Sequence, residues 1–298
     1  DIPRTNGRQC FMIRPSEFIA YLRFNVFQLW KEIMFRILTV LLLLVPSFAY
    51  ADLKLTVFDC GQLRFDDVSA FGLSNEETTV RELFVPCYLI QHNEHLMVWD
   101  AGLPLADVGR TDGNSRYEES FLDQLASMGV APSDVDLVAF SHMHYDHVGA
   151  ANAFINSTLL IQETEAVAAF EHPEDNPVFR EALYSELINA NRRSLNGDLD
   201  VFGDGSVRII SAPGHTPGHQ ALYLELANYG PLILSGDLYH FEASRTLRRT
   251  PVFNTSAEET LDSMDKVEQL IETTGATFWI EHSKELAQSL NLAPAFYN

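Results

Sequence analysis

The chain has 298 residues, a length that accommodates one large domain or two ordinary ones. Apolar residues make up 46% of the sequence and charged residues 20%, close to the globular average, which excludes disordered and fibrous classes. Acidic residues outnumber basic ones by 41 to 20, and the formal net charge is −21. A surface of this sign repels phosphate backbones, so we expect no nucleic-acid partner.

Residues 34–51 have the three-part pattern of a secretory signal peptide. Met34 is followed by a positive flank, the apolar run 37–45 and a small-x-small motif that ends at Ala51. The apolar run is shorter than the roughly 20 residues that a spanning helix needs. We therefore expect cleavage after Ala51 and a periplasmic or secreted protein without stable membrane insertion. Residues 1–33 are then upstream or non-native sequence.

The remaining segment, 52–298, predicts a single α/β domain. Short apolar, β-branched runs are bounded by Gly, Pro, Asp or Asn, as strands usually are. Helical patterns lie between them, and no linker, repeat or low-complexity tract divides the segment. Strands are predicted at 53–58, 87–91, 96–99, 137–140, 158–161, 207–210, 221–226, 232–234 and 277–280. Helices are predicted at 118–128, 177–193 and 256–275, and loop-like insertions at 61–83 and 103–120.

This segment contains two cysteines, Cys60 and Cys87. An oxidising compartment permits a disulfide bond between them, but two residues do not make a disulfide framework. The sequence therefore leaves both the bridged state and the free thiols open.

The strongest chemical signal follows the fourth predicted strand. Residues 141–147 read Ser-His-Met-His-Tyr-Asp-His, which places three imidazoles and one carboxylate within six positions. Neutral imidazole and carboxylate are the ligands that zinc and similar divalent ions take. A strand end that turns into a helix, here predicted at 148–154, can direct these side chains to one point. The predicted ligands are His142, His144, Asp146 and His147.

Three further strand ends supply residues of the same ligand types. His215 follows the sixth predicted strand within Pro-Gly-His-Thr-Pro-Gly-His, Asp237 follows the eighth, and His282 follows the ninth. Sites in α/β proteins are built from such loops, so these residues join the predicted metal site. His219 is predicted to be a structural or supporting residue, and the role of His240 stays open.

With these residues the sequence resembles the metallo-β-lactamase superfamily over essentially all of 52–298. Asp100, in Trp-Asp-Ala-Gly, also matches the early Asp-x-Gly turn of that family and is predicted to orient ligands. The resemblance implies an αββα sandwich with two divalent metal ions, expected to be Zn²⁺, at one edge. It implies that His142, His144 and His215 bind one ion, that Asp146, His147 and His282 bind the other, and that Asp237 bridges them.

Within this superfamily the sequence is most similar to the N-acyl homoserine lactonases, the quorum-quenching lactonases. The bridging Asp237 is absent from the lactam-cleaving branches. Thioesterases like glyoxalase II carry a long helical extension where only sixteen residues follow His282. RNA-processing members add a large further domain. The motif at 213–219 and the segment 84–90 agree with the lactonases.

The resemblance implies that a hydroxide bridging two metal ions attacks the lactone carbonyl and gives a ring-opened N-acyl homoserine. Asp146 or Asp237 is predicted to carry a proton to the leaving oxygen, and Tyr239 to donate a hydrogen bond to the carbonyl. His240 and Tyr223 are alternatives to Tyr239. His240 stands where these lactonases often have a tyrosine.

A long acyl chain needs apolar surface outside the metal site. Four phenylalanines are candidates for it: Phe65, Phe71, Phe84 and Phe241.

Two other functions stay open. One is a related dinuclear hydrolase of organophosphates, thioesters or aryl esters. The other is a metal-binding protein without catalysis, which would need a closed coordination shell. The sequence leaves the acyl-chain preference and the oligomeric state open.

Overall fold

The computed structural model describes residues 52–111 and 113–298, together with the single positions 27, 30, 31 and 34. The chain divides into the units 1–49 and 50–298. Apart from Met34, the predicted signal peptide lies outside the described residues, as does most of 1–33, so cleavage after Ala51 stays a prediction. Within the described part of the chain, no helix has both the length and the apolar character needed to cross a bilayer.

Two β-sheets form the framework of the second unit, and every predicted strand overlaps an observed one. The seven-stranded sheet has the order β4-β1-β2-β3-β5-β6-β7, and the five-stranded sheet has the order β12-β11-β10-β9-β8. The strands are β1 (Leu53–Arg64), β2 (Glu82–His92), β3 (His95–Ala101), β4 (Ser115–Arg116), β5 (Leu137–Ala139), β6 (Thr158–Gln162), β7 (Arg192–Leu195), β8 (Leu199–Asp200), β9 (Val207–Ser211), β10 (Gln220–Leu226), β11 (Gly230–Leu234) and β12 (Thr277–Trp279).

The two sheets pack face to face because their strands alternate apolar side chains between two buried faces. In β10, Leu222 and Leu224 point between the sheets, whereas Tyr223 points to the outer face. The inner layer combines residues of both sheets, such as Trp99 and Leu234.

Helices cover both outer faces of the sheets. Phe121 of the first helix packs on the seven-stranded sheet, and Met264 of the fourth packs on the five-stranded sheet. The layers therefore run helix, sheet, sheet, helix, which confirms the predicted αββα sandwich. The helices are α1 (Phe121–Ser127), α2 (Glu163–Phe170), α3 (Glu242–Leu247), α4 (Ala257–Thr274) and α5 (Lys284–Ala287).

Helix α4 begins and ends where the sequence predicts. The Ser256 side chain accepts a hydrogen bond from the Glu259 N–H at 3.1 Å, which satisfies a free donor of the first turn. Gly275 ends the helix with φ at 69°, a left-handed conformation that glycine adopts without steric cost.

The helix predicted at 177–193 is wrong. The structure has two short 3₁₀ turns there, Glu181–Leu183 and Ser185–Asn189, followed by β7. The Asn152 side chain bonds the Ala182 carbonyl and the Glu186 N–H, so these groups pair with a distant side chain instead of a helical ladder. The helix predicted after the histidine motif is likewise only the 3₁₀ turn Ala151–Phe154.

Cys60 and Cys87 form a disulfide bond between β1 and β2, with a Cα–Cα distance of 5.8 Å. The two residues are 27 positions apart and fully buried. The structure thus resolves the alternative that the sequence left open in favour of the bridged state.

Replacing both cysteines with alanine is expected to lower the free energy of unfolding by about 3–4 kcal/mol. The bridge removes conformational entropy from the unfolded chain, and the loop length sets this magnitude. Urea denaturation of the wild type and the double variant measures the difference. A loss below about 1 kcal/mol would show that the bridge does not constrain the unfolded chain in this way.

Candidate active site

The seven predicted metal ligands meet at one edge of the sandwich. The loop after β5 carries four of them, and the loops after β9, β11 and β12 carry one each. All seven are at most 7% exposed. The ligand atoms of one group lie within 4.8 Å of one another, and so do those of a second group. The first group is His142, His144, His215 and Asp237, and the second is Asp146, His147 and His282.

The Asp237 carboxylate joins the two groups. Its Oδ2 lies 3.2 Å from Nε2 of His215 and 3.5 Å from Nε2 of His142. Its Oδ1 lies 3.0 Å from Nε2 of His282 and 3.2 Å from Nε2 of His147. One carboxylate oxygen thus faces each group, as a carboxylate between two cations would.

The donor atoms of this cluster fit metal ions. Nε2 of His215 lies 3.1 Å both from Nε2 of His142 and from Nδ1 of His144. Protons cannot satisfy three converging imidazole nitrogens. Nε2 of His147 and Oδ1 of Asp237 are buried, and although they lie 3.2 Å apart their geometry does not make a hydrogen bond, which is a costly state for buried polar atoms. A divalent cation in each group would satisfy all of these atoms.

Hydrogen bonds on the outer side of the cluster fix the orientation of the imidazoles. Asp100 Oδ2 lies 2.8 Å from Nδ1 of His147, and Asp100 Oδ1 accepts the Ser141 N–H at 2.6 Å. His282 Nδ1 donates to the Phe84 carbonyl at 2.6 Å. These contacts leave Nε2 of both histidines directed into the cluster, and they agree with the orienting role predicted for Asp100.

His219 also lies outside the ligand groups, as predicted. Its Nδ1 donates to the Ala212 carbonyl at 2.9 Å, and its Nε2 accepts the Asp237 N–H at 2.9 Å. Burial lowers the pKa of His219 to about 3, so this ring is neutral and can accept. It holds the turn that carries Asp237.

Two buried glutamates support the ligand loops and were missed by the sequence analysis. Glu165 accepts the N–H of Met143 at 2.9 Å and that of Gly218 at 2.8 Å, so it ties the β5 loop to the β9 loop. Glu281 accepts the Gly236 N–H at 2.8 Å and holds the turn before Asp237. No spacing in the sequence signals these contacts.

Burial and charge set the protonation of the cluster in opposite directions. Burial lowers the pKa of His142 and His144 well below the ordinary value. Burial also acts on His282, but the adjacent Asp237 carboxylate outweighs it and raises the pKa to about 9. The pKa of His147 is raised well above its usual range, because Asp237 and other carboxylates overcome burial. The second group therefore holds protons that a cation would displace.

The structure corrects the role predicted for Tyr239. Its hydroxyl donates to Glu268 at 3.1 Å, and its ring packs against Phe278 on the outer face of the smaller sheet. Residue 239 is extended, with φ −143° and ψ 137°, so successive side chains point to opposite sides. His240 consequently points inward, and its Nε2 lies 3.0 Å from Asp237 Oδ2.

The other alternative, Tyr223, is also directed away from the cluster. Its hydroxyl donates to Glu225, and the Arg208 guanidinium lies 3.9 Å from the centre of its ring. Of the three candidates for carbonyl binding, only His240 lies at the cluster of metal-ligand side chains.

A cavity of about 200 Å³ opens onto the ligands, and we call it the centre cavity. Phe65 and Phe71, two of the four phenylalanines that the sequence offers as candidates for an acyl-binding surface, line it. Phe241 instead packs behind Phe71, with ring centroids 5.2 Å apart, and Phe84 contributes its carbonyl to His282. The remaining walls are Leu63, Ala70, Leu83, His144, Tyr145, Asp146, Val178, Asp237, His240, Phe253 and His282.

Residues 80–272 match the metallo-beta-lactamase superfamily, and the chain belongs to this family. With the fold and the ligand cluster, this membership defines a metal-dependent hydrolase. The chain is 28% identical over 266 residues to the N-acyl homoserine lactonase AttM of Azorhizobium caulinodans. The aligned region covers 83% of this chain and 99% of that relative.

Among the solved structures that share the fold are two named as lactone-opening enzymes. One is an N-acyl homoserine lactone hydrolase with the product N-hexanoyl-L-homoserine at its catalytic metal centre. Its TM-score is 0.69 at 24% identity, over 82% of this chain and 98% of that chain. The other is AidC, a dizinc quorum-quenching lactonase. Its TM-score is 0.62 at 18% identity, over 84% of this chain and 95% of that chain.

Proposed function

We propose that the protein binds two divalent ions, expected to be Zn²⁺, and opens the lactone ring of N-acyl homoserine lactones. The observation that carries this proposal is the Asp237 carboxylate, whose two oxygens face two separate groups of ligands below an apolar cavity. The similarity to AttM over nearly its whole length supports the choice of substrate.

In this proposal each ion has its own group of ligands, and Asp237 belongs to both. When bound, the two cations supply an activated water molecule and polarise the carbonyl of the substrate. His142, His144, His215 and Asp237 would hold the first ion, and Asp146, His147, His282 and Asp237 would hold the second.

The protein's own side chains orient the lactone and move the proton. His240 lines the centre cavity with its Nε2 3.0 Å from Asp237 Oδ2, so an Nε2–H would bond this carboxylate in the metal-free protein and, once a cation takes up that oxygen, would be free to donate to the substrate carbonyl. Asp146 lines the cavity and can take up the proton that the attacking water loses and deliver it to the ring oxygen when the ester C–O bond breaks. The water oxygen remains on the carbonyl carbon, and the product is an N-acyl homoserine with its amide intact.

We expect Tyr239→Phe to leave kcat/KM within about twofold of the wild type and to cost about 1 kcal/mol of stability, the value of one hydrogen bond. His240→Phe should lower kcat/KM by about tenfold to a thousandfold, because it removes a donor at the reacting carbonyl. Steady-state kinetics and thermal unfolding of both variants measure these effects. The reverse order of activities would restore the carbonyl-binding role to Tyr239.

A substrate panel tests the proposed function. Purified metal-loaded protein is incubated with N-hexanoyl-L-homoserine lactone, a thioester, an aryl ester and an organophosphate triester, and the products are analysed by mass spectrometry. We expect the lactone to give the highest kcat/KM and a product heavier by one water. Preference for another member of the panel would favour the related dinuclear hydrolase. Free fatty acid from the lactone substrate would mean amide cleavage and would overturn the assignment.

We also propose that the protein is exported to the periplasm or secreted, without stable membrane insertion, after cleavage behind Ala51. The signal-peptide pattern at 34–51 supports this, and the disulfide between Cys60 and Cys87 suits an oxidising compartment. N-terminal sequencing of protein from the periplasm or medium of a bacterial host should start at Asp52. Full-length protein retained in the cytosol with Met34 intact would contradict export.

A further inference from the structure

A cavity of about 500 Å³ lies beside helix α2, and none of the roles assigned above uses it. We call it the α2 cavity. Most of its exposed wall surface is apolar, although six of its ten lining residues carry polar side chains, among them Glu163, His172 and Asp175. Thr164, Val167, Ala168, Asn176, Phe179 and Pro217 also line the cavity.

The α2 cavity lies against the ligands of the first ion. Asn176 and Phe179 both line it. The Asn176 amide nitrogen is 3.1 Å from Nε2 of His144, and the Phe179 ring centroid is 5.6 Å from that of His144. Thr255 is another wall residue, and its N–H donates to the His215 carbonyl at 3.1 Å. The cavity therefore adjoins the metal cluster through residues that contact two of its ligands.

Two chain segments separate this cavity from the centre cavity. In the first segment, Val178 lines the centre cavity, whereas its neighbour Phe179 lines the α2 cavity. In the second segment, Phe253 lines the centre cavity and Thr255 lines the α2 cavity. The two cavities thus lie on opposite sides of the same two segments, and a flexible chain extending from one to the other would pass over these residues.

The sizes of the two cavities indicate what each can hold. Sites for drug-sized ligands usually measure about 300–1,000 Å³, and the centre cavity, at about 200 Å³, is below this range. It suits a lactone ring and the amide beside it. A long acyl chain must continue elsewhere, and the α2 cavity offers about 500 Å³ of mostly apolar space.

We infer that the α2 cavity binds the distal part of a long acyl chain and makes the protein selective for long-chain lactones. The inference rests on the proposed lactonase function. Each methylene that leaves water contributes about a fourfold gain in binding. The specificity constant should therefore rise with chain length until the cavity is filled.

Filling the cavity tests this inference. Ala168 is half-buried on α2 and lines the cavity, so Ala168→Phe places a ring in the space without altering a metal ligand. We expect kcat/KM for the dodecanoyl lactone to fall by at least about tenfold, mainly through KM, since several methylenes lose their site. The value for the butanoyl lactone should stay within about twofold. Val167→Phe, on the same helix, provides a second variant with the same expected pattern.

Ala287→Phe is the matched control, because Ala287 is also a half-buried helical alanine but lines a different cavity, beside Lys284. This variant should leave kcat/KM unchanged for both lactones. Thermal unfolding and metal content verify that all variants fold. Suppose that the wild type opens both lactones. If both cavity-filling variants then keep its chain-length profile, or if they fold but lose kcat/KM equally for both lactones, the inference is wrong and the proposed function stands. If the metal-loaded wild type opens neither lactone, the proposed function fails and the inference fails with it.

Discussion

Asp237→Ala is expected to lower kcat/KM for an N-acyl homoserine lactone by more than about a thousandfold. The Asp237 carboxylate faces both groups of ligands, so its loss removes a shared ligand together with the negative charge that lies between the two groups. Metal-ion catalysis contributes several kcal/mol, and about 1.4 kcal/mol corresponds to each factor of ten. Bound metal should fall below two ions per chain, as measured by elemental analysis alongside the kinetics.

Asp265→Ala is the control for this change. Asp265 is exposed on α4 and pairs with Arg248, so its loss should leave both metal content and activity unaltered. If Asp237→Ala keeps two ions and most of the activity, the carboxylate does not bridge the ions. If the variant fails to fold even with metal present, Asp237→Asn, which keeps the size of the side chain, provides the same comparison.

Metal binding to the metal-free protein near pH 7 should release about two protons per chain. His282 has a pKa of about 9 and that of His147 is also raised, so both rings are protonated there and must lose a proton to bind a cation. Affinity for the second ion should therefore increase by up to about a hundredfold per pH unit below pH 9. Calorimetry in buffers of different ionisation enthalpy counts the protons.

The same protons stabilise the metal-free protein. Because its folded pKa lies above the ordinary value of 6.5, protonated His282 contributes stability that is fully present below pH 6.5 and lost as the pH rises through about 9. The metal-free protein should lose thermal stability across this window, and His282→Gln should remove the part of that dependence that His282 contributes and leave the part due to His147. Zinc binding without proton release would contradict the protonation assigned to these two histidines.

The cluster of ligand-type residues was predictable because its signal is local. His142 to His147 stand within one short motif, and the other members follow short apolar, β-branched runs whose bounding turn residues mark them as strands. Neighbouring strands bring their ends together at one edge of a sandwich, so residues far apart in sequence could be assigned to one site. The layers followed from the resemblance to the metallo-β-lactamase superfamily, and strands such as β10, which bury both faces, fit them.

The errors arose where distant contacts decide the structure. Tyr239 and His240 are adjacent, and only the extended backbone at the end of the 3₁₀ turn determines which one points inward. Glu165 and Glu281 act on backbone N–H groups of other loops, which leaves no spacing to detect. The segment 177–193 has a helical composition, but the Asn152 side chain holds two of its backbone groups.

Titration of the metal-free protein with zinc, followed by lactone opening, tests the central claim most directly. Zinc is added in known equivalents, and the rate of formation of ring-opened N-hexanoyl-L-homoserine is measured at each step. The account predicts that the rate reaches its maximum at two ions per chain, since Asp237 has one oxygen facing each group of ligands. Full activity at one ion, or no lactone opening at two, would contradict it.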